Sequence, residues 1–339
     1  MNCFSKTIFC RRITAMMLSV LMILSVGCIS DDGGDTDTLD IVCTIFPQYD
    51  FARNIAGDVP GVNVKMLLGP GQESHDFDPS SKDIAAIHDC DIFVYIGGES
   101  DSWVRDMLQS VDTENKTIIS LMDEITLLEE ETVEGMETDE HEHDHGAIDH
   151  VEYDEHIWTS PKNAKAITEI IAEAMCKHMP ESADAFRENS LKYSNILDNI
   201  DAFLADLVSH AKSPTIVVAD RFPLLYMCRE YGITYYAAFS GCAASTEPSS
   251  KTVQFLIEKV KSEGIPAVIK MDLSSGNVAQ TIAEATGAEV VTYYSCHTLS
   301  AEDFENGVTY VSMMKRNFDA LRIALGVSGD FQCDITTQE

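Results

Sequence analysis

Two periodicities alternate along the chain. Short runs rich in β-branched residues at 40–46 (DIVCTIF), 62–68 (VNVKMLL), 91–96 (DIFVYI) and 117–121 (TIISL) predict strands. Between them, apolar residues recur at helical spacing over 49–56, 81–88 and 102–109. A second series of strand-like runs follows at 215–219, 233–238, 266–271 and 289–294, again with helical patterns between. Largely apolar strands separated by helices are the pattern of parallel sheets covered on both faces. The expected fold class is α/β, with two doubly wound lobes at 40–180 and 212–327 and a tail at 328–339.

The lobes are joined by a stretch without Gly or Pro. Over 182–211, Phe186, Tyr193, Leu197, Ile200, Leu204 and Leu207 recur at spacings of three, four and seven. This predicts a single amphipathic linking helix within 181–211, with Pro180 and Ser182 as start signals. Thirty residues would make a rod of roughly 45 Å. Two shorter helices with a break are the alternative. A single rod would limit the wide hinge motion expected of lobes joined by flexible strands.

The beginning of the chain carries an export pattern. Lys6, Arg11 and Arg12 precede an uncharged, mostly apolar run at 13–27, and Cys28 follows. Fifteen residues fall short of the roughly 20 that a membrane span needs, so 1–27 reads as a signal peptide. The stretch Leu24-Ser25-Val26-Gly27-Cys28 resembles a bacterial lipoprotein box, although Ser25 stands where that pattern prefers Leu. A lipid on Cys28 would hold the exported protein at the membrane surface through an acidic tether at 28–39; plain secretion with another cut is the alternative. Seven cysteines then remain, Cys43, Cys90, Cys176, Cys228, Cys242, Cys296 and Cys333, an odd number without a CxxC pair, and their pairing stays open.

Composition narrows the partners. A hydrophobic share of 45% excludes wholesale disorder. With 23 basic and 56 acidic residues the formal charge is −33, which opposes nucleic acid and favours cations. The segment 129–155 is acidic throughout, with His141, His143, His145 and His150 interleaved, and is expected to be a loop without fixed secondary structure. Three histidines at alternate positions would make it a weak, fast-exchanging chelator.

Ligands of open parallel sheets bind beyond the carboxyl ends of the strands. In the first lobe those positions carry His75 with Asp76, and His156 with Asp154 and Glu155. In the second they carry Asp220, Cys242, Glu247, Cys296 and His297. Imidazole with carboxylate suits zinc, and less selectively manganese or iron, with Asp76 and Asp154 available to orient the rings. Each residue has a plainer role open to it. Asp220 has Arg221 as an ion-pair partner, Glu247 a helix start near 249 to cap, and Cys242 and Cys296 a disulfide to form.

From Ile41 to about Leu325 the chain resembles the zinc and manganese solute-binding lipoproteins of ABC importers, the ZnuA-type (cluster A-I) family. The carrying segments are Thr44-Ile45-Phe46-Pro47-Gln48-Tyr49, the Gly69-Pro70-Gly71 loop with Ser74-His75 and Asp78-Pro79, and Tyr95-Ile96-Gly97-Gly98. Further on are Asp154-Glu155-His156-Ile157-Trp158-Thr159-Ser160-Pro161, Glu247-Pro248-Ser249 and residues 283–290 (AEATGAEV). The resemblance implies a metal cleft between lobes joined by a long helix. It also implies an exported, membrane-anchored monomer that hands its metal to a cognate permease driven by an ATPase. It carries the first-lobe ligands to His75 and His156 and the last to His297. The third falls on Arg221, which cannot ligate a cation, so Asp220 or a different donor takes that place. Histidine-rich loops accompany the zinc importers of this family, which favours zinc over manganese.

Two other classes compete. An exported zinc-dependent hydrolase would use Glu155 or Glu247 as general base with an open coordination position for water. A manganese-specific binding, adhesion or metal-buffering lipoprotein would need the metal but no permease.

Overall fold

The computed structural model describes residues 38–72, 77–137, 151–241 and 247–329. The export signal, Cys28, His75, Asp76, the histidines at 141, 143, 145 and 150, Cys242 and Cys333 lie outside these residues. Among the described residues no helix is long and apolar enough to cross a membrane.

The first lobe holds β1 (Leu39–Cys43), α1 (Phe46–Ala56), β2 (Val62–Met66), α2 (Ser81–Asp89), β3 (Ile92–Tyr95), α3 (Ser102–Leu108) and β4 (Thr117–Ser120), and is closed by α4 (Pro161–His178). Its strands are all parallel in the order β2-β1-β3-β4. After the linking helix α5 (Ala183–Ser209), the second lobe contains β5 (Thr215–Arg221), α6 (Leu225–Tyr231), β6 (Thr234–Phe239), α7 (Ser250–Glu263), β7 (Ala267–Met271), α8 (Asn277–Thr286), β8 (Glu289–Tyr293) and α9 (Tyr310–Ala324). The order β6-β5-β7-β8 repeats that of the first lobe. Each sheet reverses direction of growth at its first strand, so the loops leaving β1 and β5 line the switch points where ligands collect.

Alternation along β5 shows why these strands read as continuous apolar runs. Ile216 and Val218 face a core shared by both lobes, whereas Val217 and Ala219 face a second cluster with Leu256 and Val260 of α7 and Ala279 and Ile282 of α8. Both faces are covered, and no polar position interrupts the run.

The linking helix runs unbroken for 27 residues, roughly 40 Å. A 3-10 turn at Pro180–Ser182 starts it. It packs on α1 and α4 of the first lobe and α9 of the second, with Phe203 edge-on to Phe318 at 6.3 Å.

Two expectations need correction. The first strand ends at Cys43, three residues early, because Pro47 sits in the first turn of α1 and the Gln48 side chain accepts the Ile45 amide and Thr44 hydroxyl at 3.2 Å each. The acidic segment is also anchored at its base. Glu129 bridges Tyr153, Glu131 pairs with Arg229, Glu134 with Lys259 at 3.4 Å, and Met136 is buried. The Glu137 carboxylate accepts the Ser249 amide at 2.7 Å and the Thr252 hydroxyl at 2.6 Å, capping α7. Its acidity expresses these polar partners in the second lobe rather than solvent alone.

Candidate metal centre

The segment that delivers His156 is fixed from both lobes before the ring is reached. The Asp154 amide donates to the Leu128 carbonyl at 3.0 Å. The Asp154 carbonyl accepts the Tyr226 hydroxyl of the second lobe at 2.8 Å. A 3-10 turn at Ile157–Thr159 follows, and Ser160 caps α4, whose first residue is Pro161. The chain is thus nailed down on either side of His156.

The His156 residue is 8% exposed. Asp154 Oδ1 lies 3.3 Å from Nδ1, but that oxygen already accepts the His156 amide at 2.8 Å. The ring and the carboxylate thus stand as a close charge contact, with the buried Nδ1 off the geometry of a full hydrogen bond. Burial opposes charging of the ring, yet the Asp154 and Glu155 carboxylates outweigh it and hold the His156 pKa above the ordinary value. Gly241 abuts the same ring. A Cβ there would stand 3.0 Å from the Phe222 carbonyl oxygen, 3.1 Å from Asp154 Oδ2 and 3.2 Å from His156 Cε1, so a larger residue would press on the His156 ring and its carboxylate.

Trp158 spans the lobes. Its ring lies 5.4 Å from that of His156 and stacks on that of His297 at 5.6 Å and 25°. Its Nε1 donates to the Ser295 carbonyl at 2.9 Å. His297 is held from the first lobe too, because its carbonyl accepts the Phe46 amide at 3.3 Å. The next residue, Thr298, accepts the Gly71 amide at 3.0 Å, which ties the loop that continues toward His75 to the loop carrying His297.

The remaining candidates have other partners. Asp220 lies where β5 gains a residue on β6, since Val218 pairs with Ala237 but Arg221 with Phe239. Its carboxylate accepts the Met271 amide at 2.9 Å and the Ser274 hydroxyl at 2.6 Å, and burial raises its pKa. The side-chain hydrogen bonds are thus to the β7 loop. With Glu247 and Arg221 it lines a cavity of about 380 Å³. Ser249, not Glu247, caps α7 from within, its hydroxyl accepting the Thr252 amide. Glu155 is committed as well: Oε1 accepts the Glu99 amide at 2.5 Å and that of Ser100 at 3.1 Å. Cys296 is a free, buried thiol. Among the described residues no three His, Cys, Asp or Glu side chains form a group able to hold an ion. Sequence reasoning passed over Trp158, Tyr226, Gly241 and Thr298; only Trp158, next to His156, carried a readable signal.

The family model described as "Zinc-uptake complex component A periplasmic" matches residues 41–324. The zinc-binding lipoprotein AdcA of Streptococcus pneumoniae is 30% identical over 313 residues, covering 92% of this chain and 60% of AdcA. This chain thus spans about 60% of the length of that relative. The high-affinity zinc uptake system protein ZnuA of Bacillus subtilis is 29% identical over 291 residues, covering 85% of this chain and 88% of the relative. Among solved structures, the zinc-bound ZnuA-like domain of S. pneumoniae AdcA superposes with a TM-score of 0.69 at 28% identity, covering 85% of this chain and 99% of the domain. The metal-dependent lipoprotein YcdH of B. subtilis gives 0.71 at 26% identity with the same coverage. With its two four-stranded lobes and its long helix, this chain belongs to the ZnuA family of zinc-uptake complex components.

Proposed function

We propose that this chain is the exported solute-binding component of a metal ABC importer, capturing zinc in the cleft between its lobes and passing it to a membrane permease driven by an ATPase. One observation carries the reading. A buried imidazole, His156, and a second imidazole, His297, come from different lobes and both pack within 6 Å of a single indole, that of Trp158. His75, at the end of the loop tied to Thr298 through Gly71, supplies the third ring. A carboxylate beside Nδ1 of His156 favours the tautomer protonated there, which leaves Nε2 as the lone pair for the ion. Three neutral imidazoles suit zinc better than manganese. Glu247 is the second-lobe carboxylate kept as a fourth donor, and Asp220 shapes its surroundings.

No chemical step is needed for this task. Oε1 of Glu155 is held by two backbone amides, which gives this carboxylate a structural task in the first lobe. Lipidation at Cys28 would keep the monomeric protein beside its permease, and His141, His143, His145 and His150 would gather zinc near the cleft. Competitive titration of the exported form with zinc and manganese tests the assignment. One tight zinc per chain is expected, held more strongly than manganese and lost in His156→Ala. Retention of that tight site by His156→Ala would overturn the reading.

A further inference from the structure

We propose that Asp50 is a positioning residue for the metal cleft, acting through Tyr310 and Trp158. The inference rests on the zinc-binding reading above and adds the residue that sets the spacing of its two lobes. Asp50 lies on α1 of the first lobe and is 1% exposed. One oxygen, Oδ2, accepts the Tyr193 hydroxyl from the linking helix at 3.2 Å and the Tyr310 amide from α9 at 3.1 Å. First lobe, linker and second lobe therefore meet on a single carboxylate oxygen. Tyr310 is the first residue of α9, so its amide is one of the donors that a helix start leaves unsatisfied. A carboxylate there satisfies it and favours the positive end of the helix.

The connection continues to the cleft. The Tyr310 hydroxyl donates to the Trp158 carbonyl at 2.8 Å, and the Trp158 ring packs on both His156 and His297. Phe51, the neighbour of Asp50, packs edge-on to Tyr310 at 5.0 Å and against Tyr193 at 5.9 Å, which leaves these phenols little room to turn. A buried contact with two packed rings is a rigid lever. If the Asp50 to Tyr310 link loosens, the Trp158 backbone loses its support, and the two imidazoles lose the ring they both pack on.

The test separates this role from plain stability. Chelator-driven zinc release is followed by Trp158 fluorescence in a Trp103→Phe background, for Asp50→Asn, Tyr310→Phe, the double variant and His156→Ala, with thermal unfolding alongside. Tyr310→Phe keeps the amide bond to Asp50 and loses only the hydroxyl to Trp158. It is expected to release zinc about tenfold faster, the size of one buried hydrogen bond, and to lower Tm less than Asp50→Asn does, because it removes one hydrogen bond where Asp50→Asn disturbs two. Asp50→Asn is expected to speed release by a similar factor and to lower Tm. The double variant should release no faster than the faster single, because both changes cut one path. Wild-type release from Tyr310→Phe overturns the proposal even if Asp50→Asn fails to fold, and so do effects that multiply in the double variant. If His156→Ala keeps the tight site, the zinc reading itself fails; if it loses the site while Tyr310→Phe behaves as wild type, only the Asp50 inference fails.

Discussion

The indole of Trp158 stacks on the imidazole of His297 at 5.6 Å and 25°, joining the first lobe to the second at the level of the proposed metal. The stack supports the ring of one candidate ligand, and the Trp158 Nε1 bond to the Ser295 carbonyl fixes the loop that carries it. An aromatic pair contributes about 0.5–1.5 kcal/mol beyond its buried area, and a buried hydrogen bond about as much again. Trp158→Ala is therefore expected to weaken zinc binding by roughly 10- to 100-fold in competition titrations. Trp158→Phe, which retains a ring but no donor, should recover part of that loss.

Stability should rise as the solution is acidified from pH 8 toward pH 5. Burial raises the Asp50 pKa to about 6 and that of Asp101 to about 7, against about 3.9 for a free Asp. A carboxyl raised in the folded state contributes stability that is complete below its unfolded pKa and lost as pH rises through its folded one. The window for this pair therefore runs from about pH 4 to about pH 7. Asp101 serves as the probe, because its Oδ2 accepts the Ile96 amide at 2.7 Å and that of Gly97 at 3.3 Å, roles an Asn oxygen can fill. Tm of metal-free Asp101→Asn should change less between pH 8 and pH 5 than Tm of the wild type. Equal slopes would refute the assignment.

The base of the acidic segment should contribute to folding. Glu137→Ala removes an acceptor from the start of α7 and one from the Thr252 hydroxyl, and is expected to lower stability by about 1 kcal/mol, as loss of a helix cap does. The urea midpoint measures it, with an unchanged slope showing that cooperativity is retained.

How far the sequence could be read depended on the range of the forces involved. Strands such as β5 and the linking helix are local patterns, legible from Ile216 to Ala219 or from Phe186 to Leu207 because periodicity and burial coincide there. His156 was legible through its neighbours, and its confinement by Gly241 was not, since that glycine lies 85 residues further along the chain. Asp220 shows what a local pattern leaves out. Its type and placement suit a ligand, but a one-residue irregularity in β5 accompanies its hydrogen bonds to Met271 and Ser274, and no local pattern encodes that turn. The acidic run at 129–137 is a loop, as expected, but its anchoring was not legible: its charges are matched by Arg229 and Lys259, far along the chain.

X-ray absorption at the zinc edge addresses the shared-cleft arrangement most directly, because it counts imidazoles around the bound ion. A single zinc with several imidazoles is predicted for the wild type, with one ring fewer after His297→Ala at zinc concentrations that fill the weakened site, and no such shell after His156→Ala, which loses the tight site. A shell unchanged by both substitutions would contradict the arrangement.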